Sequence, residues 1–268
     1  MIDLHCHFLP NIDDGPSNIG DSLKLARMAC AYGIQKSIVT PHICPGCYEN
    51  NIMTIQPAFT VFKHALQQNH IPLQVGMAAE VRIGFEIIEM IEKNLIPFLG
   101  RLEGYHILLL EMPYSHIPPG SDKMVNWLLE KKIRPMIAHP EKNGDVLRNL
   151  EKIYPFIEQG CLLQITASSI TGRLGSQLQQ RAQQMLEKGW VNVIASDAHN
   201  IKYRPPDLES GYLAAAKIIG ESAAYRLVHE TPEQITLEKF IDIQKTKQPP
   251  TKDGWVREFG GLKSLIPA

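Results

Sequence analysis

The chain has 268 residues, 44% of them hydrophobic and 21% charged, with a net charge of −1; this excludes a disordered or collagen-like chain and argues against a protein drawn as a whole to nucleic acid or anionic membranes. No run approaches the roughly 18 apolar residues of a membrane span, and the start MIDLHCHFLP lacks the basic-then-apolar pattern of a signal peptide. Five cysteines at 6, 30, 44, 47 and 161 do not make a secreted disulfide framework, so the expected compartment is the cytoplasm, with no insertion into the membrane.

Strand-length apolar stretches alternate with helical patterns. Residues 2–7 read as the first strand, and a helix follows over 18–32 with Ser17 or Asn18 as its cap. Gly33 punctuates before a second strand over 34–40 and a helix over 55–68. A third strand is expected over 73–80, a short helix over 85–93, and a fourth strand over 106–111, apolar almost throughout as HILLLE. A helix over 121–131, a strand over 134–139 and a helix over 146–159 come next. The sixth strand spans 162–166, a helix 175–188 and the seventh strand 190–196, with helices filling most of 207–229. Uniformly apolar strands suit a sheet covered on both faces, and strict β-then-α alternation suits parallel pairing. Seven such units predict an α/β fold, a closed or nearly closed barrel of 1–238. The tail 239–268, with QPP, lysines and Gly-Gly, reads as a C-terminal extension.

Placed on these elements, the chemistry-bearing residues gather at strand ends. His5 and His7 close the first strand and His42 follows the second; Glu80, Glu111 and His139 end the third, fourth and fifth, and Asp197 and His199 end the seventh. The sixth strand contributes only Thr166 at that level. Parallel barrels keep active sites at these carboxyl ends. A single strand-end histidine reads as a hydrogen-bonded rim residue, but five of the ten histidines with three carboxylates at one mouth call for cations, because such close carboxylates raise one another's pKa. Imidazole and carboxylate together suit Mn²⁺, Zn²⁺ or Fe²⁺. More than four ligands call for two or three ions, an arrangement that clamps attacking and leaving oxygens in phosphoryl transfer. Asp14, in Asp13-Asp14-Gly15-Pro16, reads on spacing alone as a turn residue.

The motifs MIDLHCHFLPNIDDGP, TPHI with YEN soon after, AAEV, LLLEMPY, AHPEKN and IASDAHN resemble the PHP (polymerase and histidinol phosphatase) superfamily. Within it they are most similar to the CpsB/CapC-type bacterial protein-tyrosine phosphatases of capsule and exopolysaccharide operons. The resemblance runs in order from residue 1 to about 230. It implies a distorted (β/α)7 TIM-like barrel with two or three metal ions, commonly Mn²⁺, and removal of phosphate from the tyrosine-rich tail of a bacterial tyrosine kinase. By motif, it implies that His5, His7, Glu80 and Asp197 hold the first ion. Glu80 would bridge to a second ion held with Glu111 and His139, and Asp14, His42 and His199 would hold the third. A hydroxide bridging the metals would attack phosphorus in line.

Two features depart from the family pattern. The phosphate-binding arginine expected after the fifth-strand histidine is Lys142 here, a point charge rather than a bidentate fork; the second arginine is present as Arg204. Cys44-Pro45-Gly46-Cys47, just after His42, has neither a second CxxC nor a thioredoxin-like context and reads as a rim loop, its redox role open. Cys6, between two of the expected ligands, is expected to face the barrel wall. The sequence lacks Cys-x₅-Arg, Asp-x-Asp, GxSxG and GxxxxGK[ST], which removes rival phosphatase, esterase and nucleotidase signatures. Two other readings compete: a PHP phosphoesterase acting on a small ester such as histidinol phosphate, and a non-catalytic kinase-binding module. A metal-dependent amidohydrolase also begins with HxH but differs in its later motifs. Self-association is left open.

Overall fold

The computed structural model describes residues 1–240, so the expected extension lies, from residue 241 on, outside the described residues. The strands are β1 (Ile2–Cys6), β2 (Lys36–Val39), β3 (His42–Ile43), β4 (Gln74–Met77), β5 (Glu80–Arg82), β6 (Gly100–Leu102), β7 (Tyr105–Glu111), β8 (Ile133–Ala138), β9 (Leu162–Thr166) and β10 (Val193–Ala195). The helices are α1 (Ile19–Ala31), α2 (Ile52–Gln68), α3 (Glu86–Glu92), α4 (Ser121–Glu130), α5 (Gly144–Arg148), α6 (Tyr154–Glu158), α7 (Ala167–Ile170), α8 (Ser176–Glu187), α9 (Leu208–Ile219), α10 (Glu221–Tyr225) and α11 (Thr231–Thr236).

Strands β1, β2 and β4 pair in parallel, as do β3, β5, β7, β8, β9 and β10 in that order. The chain passes from β2 to β3 through Thr40-Pro41 and from β4 to β5 through Ala78-Ala79. The two breaks lie side by side: Ala78 N–H donates to Val39 O at 2.9 Å, and Glu80 N–H to Pro41 O at 3.2 Å. Each broken pair therefore acts as one bent stave. Beyond them the ring closes where Asp197 N–H donates to His5 O and His7 N–H to Ala198 O, both at 2.8 Å. The result is a parallel (β/α)7 barrel distorted at two staves, as expected.

Several elements differ from the sequence reading. The third strand, expected as one piece over 73–80, is two strands in different sheets; Pro41 lacks a ladder donor, so the pairing with the neighbouring stave is interrupted at that level and resumes at His42 and Glu80. The helix expected over 146–159 is broken at Asn149, whose backbone is extended and whose side chain accepts from Glu151 N–H, restarting the chain as a 3₁₀ turn and then α6. Such local side-chain-to-backbone bonding is why Asn interrupts helices. Helix α2 starts at Ile52, not 55, because Asn51 caps it in a reciprocal box with Thr54. The seventh strand is shorter than 190–196. The antiparallel β6, paired with β7, and the one-turn α7 have no counterpart in the sequence reading.

The core has two layers, as a barrel requires. Ile2, Leu4, Ile38, Ala78, Ile107, Leu109, Met136, Ala138, Val193 and Ala195 fill the interior. Val39, Val81, Leu108, Leu110, Ile137, Leu163 and Ile194 face the surrounding helices. In β1 a register shift between Asp3 and Cys6 moves the phase of the pleat: Leu4 lies in the inner layer, while Cys6 is in the outer one with its thiol toward Ile38 O. The expectation that Cys6 faces the wall holds. At the closed end, Lys239 Nζ donates to Met77 O at 3.0 Å and Phe240 lies under Lys36. Among the described residues no helix is long and apolar enough to cross a membrane.

Candidate metal centre

Nine residues expected at the mouth converge there. Potential ligand atoms gather in four overlapping sets: His7, Asp14, His42 and His199; His5, His7 and Glu80; His5, His139 and Asp197; and His42, Glu80 and Glu111. Within each set the atoms lie inside 4.8 Å of one another. Glu80, His5, His7 and His42 each belong to two sets. The geometry thus brings His42 to Glu80 and Glu111, and His139 to His5 and Asp197. Lys142 and Arg204 are on the same rim: the ammonium of Lys142 contacts Asp197 Oδ2, and Arg204 donates to Asp197 Oδ1 at 2.7 Å. Thr166 is buried at the end of β9, its hydroxyl without a partner.

Backbone geometry aims the ligands. His139 and Asp197 both have positive φ, 31° and 53°, unusual for residues with a side chain. His139 directly follows β8 and Asp197 lies two residues past β10, so each left-handed residue sits where its strand gives way to the mouth. His42 and Glu80 open β3 and β5 and are paired neighbours, so the shared bend in those staves places both over the barrel axis.

The centre of the site is Glu80 Oε2. His5 Nε2 and His42 Nδ1 approach it at 3.1 Å and His7 Nε2 at 3.3 Å, yet this buried oxygen makes no hydrogen bond. Glu111 Oε1 and His199 Nε2 are likewise buried without one, and the Nε2 atoms of His5 and His7 face each other at 3.2 Å. Buried polar atoms left this way are costly. Ligands about 2.1 Å from a common ion sit about 3 Å from one another, so the spacing and the orphaned atoms fit divalent cations held by imidazole and carboxylate.

Electrostatics divide the cluster. Burial disfavours a charged His42, but Glu80, Asp14 and Glu111 override it and hold its pKa up at about 10. His5 is likewise raised to about 9 by Glu80 and Asp197 against its burial. Burial and the Glu80 charge push Glu111 up to about 7. Burial and Lys142 bring His139 down to about 4; burial and His7 do the same to His199. Asp197, although buried, stays well below the carboxylate range because Lys142, His5 and Arg204 surround it. Asp14 is held low by His199 and His42 despite its burial.

The supporting residues are absent from the sequence reading. Asp13 Oδ2 lies 2.7 Å from His7 Nδ1 and accepts from His42 N–H at 3.1 Å. Gln164 Oε1 lies 2.8 Å from His5 Nδ1. Arg82 donates to Glu111 Oε2 at 2.9 Å. Buried Asp3 accepts from the backbone N–H and the hydroxyl of Ser196 and braces β1 against β10. Outer partners of this kind fix tautomers and ligand orientation. Asp13 carries a signal, an acid beside an expected ligand, but Asp-Asp-Gly-Pro reads as a turn. Tyr48 stacks on His42 at 5.5 Å and Tyr114 on His139 at 5.9 Å, the rings within 13° of parallel. The site is deep on one side and open on the other: the side chains of Glu80 and His5 are 0% exposed, those of Asp14 and Arg204 43% and 29%.

Comparison with known proteins adds sequence evidence. The family described as "Capsular polysaccharide synthesis, CpsB/CapC" matches residues 1–237. The tyrosine-protein phosphatase YwqE of Bacillus subtilis is 33% identical over 93% of this chain and 95% of its own length. The tyrosine-protein phosphatase CpsB of Streptococcus pneumoniae is 28% identical over 90% of this chain and 100% of its own. A crystal structure from work on YwqE and CpsB, described there as metal-dependent tyrosine phosphatases, superposes with a TM-score of 0.83 at 33% identity, covering 90% of this chain and 96% of the other. An organophosphorus hydrolase from Deinococcus radiodurans shares the fold alone, at 13% identity and a TM-score of 0.54 over 87% of this chain and 91% of its own. The family match spans the chain from the first strand through the last helices, and the chain belongs to the CpsB/CapC capsular polysaccharide synthesis family.

Proposed function

We propose that the chain is a metal-dependent protein-tyrosine phosphatase that removes phosphate from the tail of a bacterial tyrosine kinase and so regulates capsule or exopolysaccharide synthesis. The observation that carries this reading is a nine-residue imidazole and carboxylate cluster bordered by two cations, Lys142 and Arg204, that meet on Asp197. Mn²⁺ is the proposed metal, with Fe or Zn as substitutes, and the cytoplasm the proposed compartment. Residues 1–238 are the proposed catalytic unit.

In this reading His5, His7, Glu80 and Asp197 would hold one ion, Glu80, Glu111 and His139 a second, and Asp14, His42 and His199 a third, with His42 also near Glu80 and Glu111 and His139 near His5 and Asp197. Divalent cations held there would supply Lewis acidity and lower the pKa of water, making a nucleophile available at neutral pH. Arg204 and Lys142 exchange their contact with Asp197 for the phosphate oxygens, neutralising charge as it develops. Asp13 and Gln164 keep the His7 and His5 rings turned so that Nε2 faces inward. The open side near Asp14 and Arg204 supports access by a flexible peptide rather than a substrate enclosed in a deep pocket.

The test is hydrolysis of a phosphotyrosine peptide beside histidinol phosphate, with Mn²⁺ and with chelator. Preferential Mn²⁺-dependent cleavage of the peptide is expected. A preference for the small ester would reassign the protein to metabolite chemistry, and no turnover of either by metal-loaded protein would point to a binding role.

A further inference from the structure

The segment Cys44-Pro45-Gly46-Cys47 is built for ring closure. Cys47 N–H donates to Cys44 O at 2.8 Å, an i to i+3 turn bond. Pro45 occupies the second position and Gly46 the third with φ of 83°, the residue pattern and dihedral of a type II turn. Such a turn holds its end Cα atoms within about 7 Å, and a disulfide needs them about 4.4–6.8 Å apart. The turn is pinned from outside as well: Cys44 and Tyr48 exchange backbone hydrogen bonds at 3.0 and 2.7 Å, and Gly46 N–H donates to Glu49 at 2.6 Å. Both thiols are free, Cys47 exposed and Cys44 half-buried. By contrast Cys6 and Cys161 are buried. The turn lies on the rim of the metal centre, two residues from His42, and leads directly into Tyr48, which stacks on that histidine.

We propose that Cys44 and Cys47 are a redox-active dithiol site that closes to a disulfide by exchange with a small-molecule disulfide. Exposed Cys47 attacks one sulfur of the oxidant as thiolate, forming a mixed disulfide and releasing one small thiol. Cys44 then attacks the Cys47 sulfur and releases the second. Two protein thiols and one small disulfide become one protein disulfide and two small thiols. The two electrons pass to the oxidant, and the protons lost by the cysteines are taken up by the leaving thiolates. A disulfide spanning two residues, on an accessible turn in the reducing compartment proposed above, belongs with transient rather than permanent bonds. Because the reduced turn already holds its end-to-end geometry, closure leaves His42 and the metal ligands in place.

The test incubates the full metal-loaded chain with glutathione buffers of graded disulfide content, then alkylates and maps the peptides. A two-hydrogen mass loss confined to the peptide carrying Cys44 and Cys47, reversed by reduced glutathione and without change in metal content, is the expected result. Cys44→Ser is expected to stop at a glutathione adduct on Cys47. Gly46→Val, strained at its positive φ, is expected to slow ring closure at least tenfold and let the adduct accumulate. Independent adducts on both cysteines in the unaltered chain, loss of metal in step with the thiols, or closure unaffected by Gly46→Val would each overturn the proposal.

Discussion

Asp13 Oδ2 sits 2.7 Å from His7 Nδ1, so the acid beside the expected ligand Asp14 fixes a different ligand on another element. That contact leaves His7 Nε2 free to face Glu80 and His5.

Asp13→Asn keeps the side-chain shape and removes the charge. Loss of an outer-shell carboxylate costs about 10- to 100-fold in metal affinity or activity. Metal titration of the variant should show weakened binding while its melting temperature stays near that of the parent; unchanged affinity would reduce Asp13 to a turn residue.

Asp197→Asn tests the point where Lys142, Arg204 and His5 meet. Asn tolerates positive φ, so the barrel should fold, and His139→Ala should fold as well. Turnover in either variant should fall more than about 100-fold, beyond the cost of an outer-shell partner. Near-parental rates in a folded variant would remove that residue from the centre.

Arg204→Ala should act on substrate binding. Hydrogen bonds to charged groups contribute about 1.5–3 kcal/mol, which corresponds to a rise of roughly 10- to 150-fold in KM for a phosphotyrosine peptide with metal content unchanged. A KM that does not move takes Arg204 out of the phosphate site.

Metal binding should release protons. Without metal, His5 and His42 titrate near 9 and 10, so at neutral pH both are protonated, whereas a metal ligand must be neutral imidazole. Loading then displaces about one proton from each, and apparent affinity climbs with pH up to those values. Calorimetry in two buffers of different ionisation enthalpy measures the release. An enthalpy independent of the buffer would contradict the proton inventory.

Most of the barrel is legible in the sequence because its strands are uniformly apolar and its ligands end them. Glu111 and His139 can be placed at strand ends from the residue pattern alone. What stays hidden depends on contacts between distant segments. The split at Ala78-Ala79 follows from pairing with a stave interrupted by Pro41, which no local pattern reveals. The break at Asn149 is a competition between helix and side-chain bonding that periodicity does not register. Gln164 reads as an ordinary polar residue in an apolar strand, and only closure of the barrel onto β1 brings it to His5. Asp13 escapes notice because its local reading as a turn is also correct: it accepts from Gly15 N–H as well as contacting His7.

The paired bends in the staves carry a wider implication. Ile38 below the bends and Ala78 at one of them belong to the oily interior; above them His42 and Glu80 open new strands with their own pairing. Stability and chemistry thus occupy separate storeys of the same barrel. Substitutions among the inner apolar residues far from the mouth are therefore expected to change stability before they change the reactive cluster.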